Sequence, residues 1–163
     1  MTLVSDTGPL IALAKIGRLP LLGRLGFADV CIPARVRREL LGKIGPESDV
    51  IDSALSAFLR TVKAPSATEA VRSAVEGLDR GEQEVLRLAV SLGAPTLVLM
   101  DDHAGRATAR QLGLRVTGTV GILLVAKRRG LVGEVVPLLH AARANGYWLS
   151  DAVIAQAKRL AGE

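Results

Sequence analysis

Short runs of apolar residues alternate along the chain with segments in which apolar residues recur every three or four positions. The apolar runs predict five β-strands, at 1–5, 29–32, 60–62, 96–100 and 114–117. The helical spacing predicts helices at 8–15, 18–25, 34–43, 49–59, 67–75, 79–92, 104–112, 119–129, 133–144 and 151–161. Continuously apolar strands that alternate with helices indicate a parallel sheet covered on both faces. The predicted fold class is therefore α/β, with a three-layer α/β/α architecture and a central, mostly parallel sheet.

Length and composition narrow the class of protein. A chain of 163 residues predicts a single domain, 1–163, and an apolar content of 49% excludes general disorder. No apolar run approaches the roughly 20 residues that a membrane span needs. The apolar N-terminus has no basic flank, so no signal peptide is expected, and the single cysteine, Cys31, cannot form an internal disulfide. These features predict a cytoplasmic protein that does not associate with membranes.

The charge balance favours a polyanionic partner, and a solvated basic surface is the alternative interpretation. The formal net charge is +5 and the isoelectric point is about 10.0. Aromatic residues make up only 2% of the chain, which argues against a binder that depends mainly on stacking bases against aromatic rings. If nucleic acid binds, contacts from Arg and Lys to phosphates should dominate.

Carboxylates stand where predicted strands run into helices. Asp6, in the triplet Asp6-Thr7-Gly8, follows the first strand, and Asp101-Asp102 follow the fourth. The carboxyl ends of neighbouring parallel strands meet at the edge where open α/β sheets place their ligand sites. Glu82 in the first turn of a helix and Glu39 beside a buried helix face add to this set. Taken alone, however, Asp6 is more readily interpreted as a helix cap, and it is the further acids that favour a functional site.

The other acids also have ordinary structural interpretations. Asp79 and Glu82 have the spacing of a capping box, Asp102 can cap a helix, and Glu39 can pair with Arg35 one turn earlier. If the acids converge, two carboxylates about 4 Å apart repel by roughly 4 kcal/mol at an effective dielectric near 20. A converged cluster would need a proton or a cation, and oxygen ligands alone favour Mg²⁺ or Mn²⁺. Such an ion would stabilise the charge that builds on a phosphodiester.

Motifs along nearly the whole chain resemble the PIN-domain family. They are VSDTGPLI at 4–11, IP at 32–33 followed by VRREL at 36–40, GE at 81–82 leading to LAVSLGA at 88–94, and LVLMDD at 97–102. The later part is similar to a prokaryotic branch of VapC-like relatives, through VTGTVGIL at 116–123 and AKRRGL at 126–131.

The resemblance implies a Mg²⁺- or Mn²⁺-dependent ribonuclease, the toxin of a type II toxin–antitoxin pair. It implies catalytic roles for Asp6, Glu39, Glu82 and Asp101, and metal ligation by Asp6, Glu82, Asp101 and Asp102. The position of Glu82 is usually Asp in the classical toxins, and the Asp101-Asp102 doublet leaves open which carboxylate points inward.

Further residues are candidates for binding substrate or partners. Thr7 can orient Asp6 or a metal-bound water, or it can cap the helix. Arg106 can hold a substrate phosphate or pair with Asp102. The adjacent aromatics Tyr147-Trp148 predict an anchor for the C-terminal helix, or an interface with an antitoxin protein or with a second copy in a homodimer.

The predicted function is endonucleolytic hydrolysis of RNA phosphodiester bonds. The alternative is a non-catalytic PIN-fold module that binds RNA or a protein. An Asp-Thr-Gly triplet is also found in aspartic proteases, but those need two copies and an all-β fold, whereas this chain has one copy and many helices. A phosphoacceptor receiver domain would need an acceptor Asp at the end of a middle strand, and the chain has no convincing one.

Overall fold

A computed structural model describes the whole chain, residues 1–163, and its strands form one parallel sheet. The strands are β1 (Thr2–Ser5), β2 (Asp29–Pro33), β3 (Leu59–Val62), β4 (Thr96–Leu99) and β5 (Arg115–Thr117). They lie in the order β3-β2-β1-β4-β5, and every neighbouring pair is parallel. The predicted fold class is confirmed, and the sheet is parallel throughout rather than mostly so.

Ten helices connect and follow the strands. They are α1 (Thr7–Lys15), α2 (Leu21–Arg24), α3 (Ala34–Leu41), α4 (Ser48–Ala57), α5 (Glu69–Val75), α6 (Arg80–Leu92), α7 (His103–Gln111), α8 (Thr119–Arg128), α9 (Val136–Ala144) and α10 (Asp151–Ala161). None of them combines the length and the apolar character that crossing a membrane requires.

Two helices differ most from their predicted bounds. The helix predicted at 18–25 is only the short α2, because the N–H of Leu21 donates to Arg18 O and closes a turn that contains Pro20. The helix predicted at 133–144 begins only at Val136. There the carboxylate of Glu163 accepts hydrogen bonds from the N–H groups of Val135 and Val136, so a residue distant in sequence caps the helix.

Helices cover both faces of the sheet. Leu3 and Val4 are successive strand residues whose side chains point to opposite faces, and both are fully buried. Residues of the last three helices, such as Ile122, Leu139 and Ile154, belong to the same core cluster of 37 buried residues. Burying each large aliphatic side chain contributes roughly 1.5–3 kcal/mol, so these helices stabilise the sheet they cover.

The order of the strands creates a crevice between β1 and β4. The chain runs from β1 through β2 to β3 on one side of the sheet, and then crosses to β4 and β5 on the other side. Ligands of open α/β sheets bind at such a switch point, outside the carboxyl ends of the strands. Here the N–H of Asp6 donates to Leu99 O at 3.0 Å, so the residue after β1 meets the end of β4.

Candidate active site

Asp6 lies at the tip of β1 and faces other carboxylates. It occupies the N-cap position of α1, yet its side chain accepts no capping hydrogen bond, so capping does not account for this residue. Burial is the main reason that its pKa rises from 3.8 to about 7, and the negative charges of Glu82, Asp79 and Glu39 raise it further. Asp6 is therefore partly buried in a negative environment that favours a proton or a cation.

Thr7 contacts two of the acids: its backbone hydrogen-bonds the Asp6 carboxyl, and its side chain contacts Glu39. Its hydroxyl Oγ1 donates a hydrogen bond to Glu39 Oε2, which joins the start of α1 to the middle of α3. Arg35 Nε donates to the other oxygen, Oε1, at 3.3 Å, as the spacing of the two residues predicts. Both oxygens of Glu39 are thus engaged, and its charge is among those that raise the pKa of Asp6.

Glu82 combines a structural role with a place among the acids. The capping box is present: Glu82 N–H donates to Asp79 Oδ1 at 2.8 Å, and Asp79 N–H donates to Glu82 Oε2 at 3.2 Å. Glu82 is only 8% exposed. Burial, followed by the charges of Asp79, Asp102 and Glu39, raises the pKa of this carboxyl. The capping interpretation is therefore correct but incomplete.

Asp79 belongs with the acids, although its spacing from Glu82 predicts only a helix cap. A Cβ atom placed on Gly81 would lie 3.0 Å from Glu39 Oε1 and 3.4 Å from Asp79 Oδ1. The first turn of α6 therefore approaches the Glu39 carboxylate more closely than a residue with a side chain would comfortably allow. The glycine at position 81, next to Glu82, is the sequence feature from which this close approach could have been predicted.

The two residues of the Asp101-Asp102 doublet have different environments. Asp101 Oδ1 accepts from Thr119 N and Oδ2 accepts from Thr119 Oγ1, both at 2.7 Å. Asp102 Oδ2 accepts from Gly105 N at 2.8 Å and caps α7, and its charge is among those that raise the pKa of Glu82. The structure thus directs Asp101 towards α8 and leaves Asp102 as the neighbour of Glu82.

Arg106 lies beside Asp101 without forming an ion pair. A Cβ atom on Gly118 would be 2.6 Å from both Arg106 Nη1 and Asp101 Oδ1, so these two groups flank the same glycine. The four ion pairs of the structure do not include Arg106. The predicted pairing with Asp102 is absent, and the guanidinium has no carboxylate partner within 4.0 Å.

We use "acidic cluster" for the five carboxylates that influence one another: Asp6, Glu39, Asp79, Glu82 and Asp102. No three His, Cys, Asp or Glu side chains are already arranged to hold a metal ion together. The candidate metal ligands are all carboxylate oxygens, the ligand type that Mg²⁺ and Mn²⁺ prefer. In its chemistry the cluster suits a hard divalent cation, while several of its oxygens accept hydrogen bonds from the protein.

Two grooves adjoin this edge of the sheet, and Tyr147 lines both. The larger, about 640 Å³, includes Asp101, Asp102 and Arg106 in its wall. The smaller, about 210 Å³, includes Thr7 and two lysines. The Tyr147 hydroxyl lies beside Asp101, and burial together with that charge raises its pKa.

The predicted anchoring role of the aromatic pair is only half correct. Tyr147 is half-buried and packs against the core, whereas Trp148 is 83% exposed. The turn that carries the pair therefore has one inward and one outward ring.

Comparison with known families agrees with the α/β fold. The family model DUF3368, described as a PIN domain, matches residues 2–163. No curated protein matches the chain significantly. Because the match extends over almost the entire sequence, the α/β sheet and the acids at its carboxyl edge lie within it. The chain therefore belongs to the PIN-domain family, which has a nuclease-type fold.

Proposed function

We propose that this PIN domain is a metal-dependent endoribonuclease that hydrolyses RNA phosphodiester bonds. The acidic cluster is the observation that supports this most. Asp6 at the end of β1, Glu39 on α3 and Glu82 on α6 come from separate elements and meet at the switch point of the sheet. Like charges held together in a partly buried place oppose folding, so a purely structural purpose explains them poorly.

Five residues of the site have proposed roles. Asp6, Glu82 and Asp102 would hold Mg²⁺ or Mn²⁺, and the bound ion would supply an activated water and neutralise charge on the phosphate. Glu39 completes the catalytic set, and Thr7 keeps its carboxylate in place through the Oγ1–Oε2 hydrogen bond. We assign the ligand position to Asp102 rather than Asp101 because both oxygens of Asp101 are bonded to Thr119.

Arg106 is the proposed contact for an RNA phosphate. Its guanidinium forms no ion pair, and it lines the larger groove together with Asp101 and Asp102. A planar guanidinium suits bidentate contact with phosphate oxygens. The formal net charge of +5 further supports a polyanionic substrate.

The biological part of the proposal is a toxin role. The chain would act in the cytoplasm as a homodimer of single domains, 1–163, and an antitoxin protein would neutralise it. Support for this part is the resemblance to VapC-like relatives. Its test is induced expression in a bacterial host: growth should stop with the wild-type chain and continue with Asp6→Asn.

The nuclease activity is tested with a panel of RNAs in Mn²⁺ and in EDTA. We expect cleavage by the wild type only with the metal, and almost none by Asp6→Asn. Asp52→Asn is the matched control, because Asp52 is an exposed helix residue outside the acidic cluster, and it should cleave normally. RNA that binds but stays intact with Mn²⁺ would instead support the non-catalytic binding module.

A further inference from the structure

We propose that the larger groove holds one nucleobase of single-stranded RNA against the indole ring of Trp148, next to the phosphate that Arg106 contacts. This inference rests on the proposed function, because it concerns the same substrate. We call this feature the Trp148 groove; its wall includes Arg106, Gly118, Trp148, Val153, Gln156 and Leu160.

Three exposed apolar side chains line this groove. Trp148 is 83% exposed, Leu160 63% and Val153 38%, and these are three of only seven large hydrophobic side chains that are exposed. Val153 and Leu160 are separated by two turns on the same side of α10, and Trp148 precedes that helix. An exposed apolar patch of this kind is typical of a binding surface.

The lining of the groove combines charged and apolar groups, as a nucleotide does. Asp101, Asp102 and Arg106 carry the charges, and most of the other lining residues are apolar. A nucleotide has a charged phosphate at one end and a flat base with an apolar face at the other. Gln156 adds an amide that can donate to and accept from the edge of a base.

The position of the groove favours RNA over other occupants. Asp102 belongs both to the acidic cluster and to the groove wall, so a strand with its scissile phosphate at the cluster would reach the groove directly. The volume of about 640 Å³ falls within the roughly 300–1,000 Å³ typical of clefts that bind small molecules. The smaller groove on the other side, about 210 Å³, has less room for a base.

A single stacked base is compatible with the low aromatic content of the chain. Trp148 is the only tryptophan, so most of the binding free energy would still come from phosphate contacts. Because Trp148 is the only tryptophan, all tryptophan fluorescence of the protein comes from this exposed ring, and its emission can report binding directly.

The test is a titration of the wild-type protein in EDTA, where the proposed activity is stopped, with a short labelled single-stranded RNA. We expect the RNA to quench the emission of Trp148 while the anisotropy of the label rises. Trp148→Ala should weaken binding by about tenfold or more, and Trp148→Phe, which keeps an aromatic ring, by only a few-fold. Leu92→Ala, an exposed apolar residue at the end of α6, is the control and should bind normally.

Other outcomes would overturn the inference. One is equal quenching by duplex RNA, because its bases are already stacked on each other. Another is an emission change that depends on protein concentration when no RNA is present, because that would place a second copy of the chain in the groove. RNA that is cleaved in Mn²⁺ without any response of Trp148 would reject this inference and leave the proposed function standing. Quenching of Trp148 without cleavage in Mn²⁺ would support this inference and reject the proposed nuclease activity.

Discussion

Asp101 directs both of its carboxylate oxygens to Thr119, one to the backbone N–H and one to the hydroxyl, each at 2.7 Å. Thr119 is the first residue of α8 and is fully buried. A carboxylate at this place satisfies an N–H that the helix itself leaves unpaired, and it interacts favourably with the helix dipole. Asp101 thus joins the end of β4 to the start of α8.

We therefore predict different consequences for the two neighbouring aspartates. Asp101→Ala leaves the buried N–H of Thr119 without its partner and should destabilise the fold by about 1–3 kcal/mol, measured by urea unfolding. Asp102→Asn keeps a good capping residue and should change stability little, yet it should lose the thermal stabilisation by Mn²⁺. The opposite result would contradict the choice of Asp102 as the ligand. In that case a folded Asp101→Asn variant would lose the thermal stabilisation by Mn²⁺, and Asp102→Asn would keep it.

Removing the charge of Asp6 should stabilise the protein when no metal is present. In EDTA at pH 8 we expect Asp6→Asn to be more stable than the wild type by about 1–3 kcal/mol, because one of several mutually repelling carboxylates is gone. With Mn²⁺ at about 100 times its dissociation constant, the wild type should gain about 2.7 kcal/mol and the variant little. Thermal unfolding of both proteins, with Asp52→Asn as the control, measures these differences. Equal responses to Mn²⁺ would exclude Asp6 as a ligand.

The hydrogen bond between Thr7 and Glu39 should matter for catalysis more than for stability. Thr7→Val keeps the shape of the side chain but removes the donor to Glu39 Oε2. We expect kcat to fall roughly tenfold, the equivalent of one hydrogen bond, while Thr7→Ser stays close to the wild type. Single-turnover RNA cleavage provides the measurement. An unchanged rate for Thr7→Val would show that Glu39 needs no such restraint.

Acid should weaken the contact between α9 and the last residue of the chain. Burial alone would raise the pKa of Glu163, but hydrogen bonds from Lys127 and from the N–H groups of Val135 and Val136 outweigh it and lower the pKa to about 2. Because the folded-state pKa lies below the unfolded one, the stabilisation is complete above about pH 5 and disappears towards pH 2.

Glu163→Gln tests this contact. We expect the variant to be less stable by about 1–2 kcal/mol at pH 7, and the difference from the wild type to shrink steadily as the pH falls below 4.5. Urea unfolding at a series of pH values gives the comparison. A difference that remains constant down to pH 2 would mean that the charge of Glu163 contributes nothing.

The order of strands and helices could be predicted because both kinds of segment carry strong local patterns. The strand 96–100 is continuously apolar, as buried parallel strands are, and α6 has a clear apolar side. The start of α9 could not be predicted, since its N–H groups are satisfied by Glu163, 27 residues or more away. Tertiary contacts of this kind leave no trace in the local sequence.

The candidate site was predictable in outline and not in detail. Strand ends placed Asp6 and the Asp101-Asp102 doublet at one edge of the sheet, because parallel strands share that edge. Nothing in the sequence distinguished Asp101 from Asp102, since the choice depends on Thr119, which only the fold brings near. Asp79 was missed because its role as a cap accounted for it fully.

The capping box links ligand binding at the site to a backbone hydrogen bond at the start of α6. Asp79 N–H depends on Glu82 Oε2 for its hydrogen bond at 3.2 Å, so any ligand that draws this oxygen away releases an amide at the start of α6. Occupancy of the site and fraying of that helix turn then favour each other, because the ligand and the Asp79 N–H compete for one oxygen atom. The hydrogen-exchange rate of the Asp79 amide should therefore rise when the site is occupied.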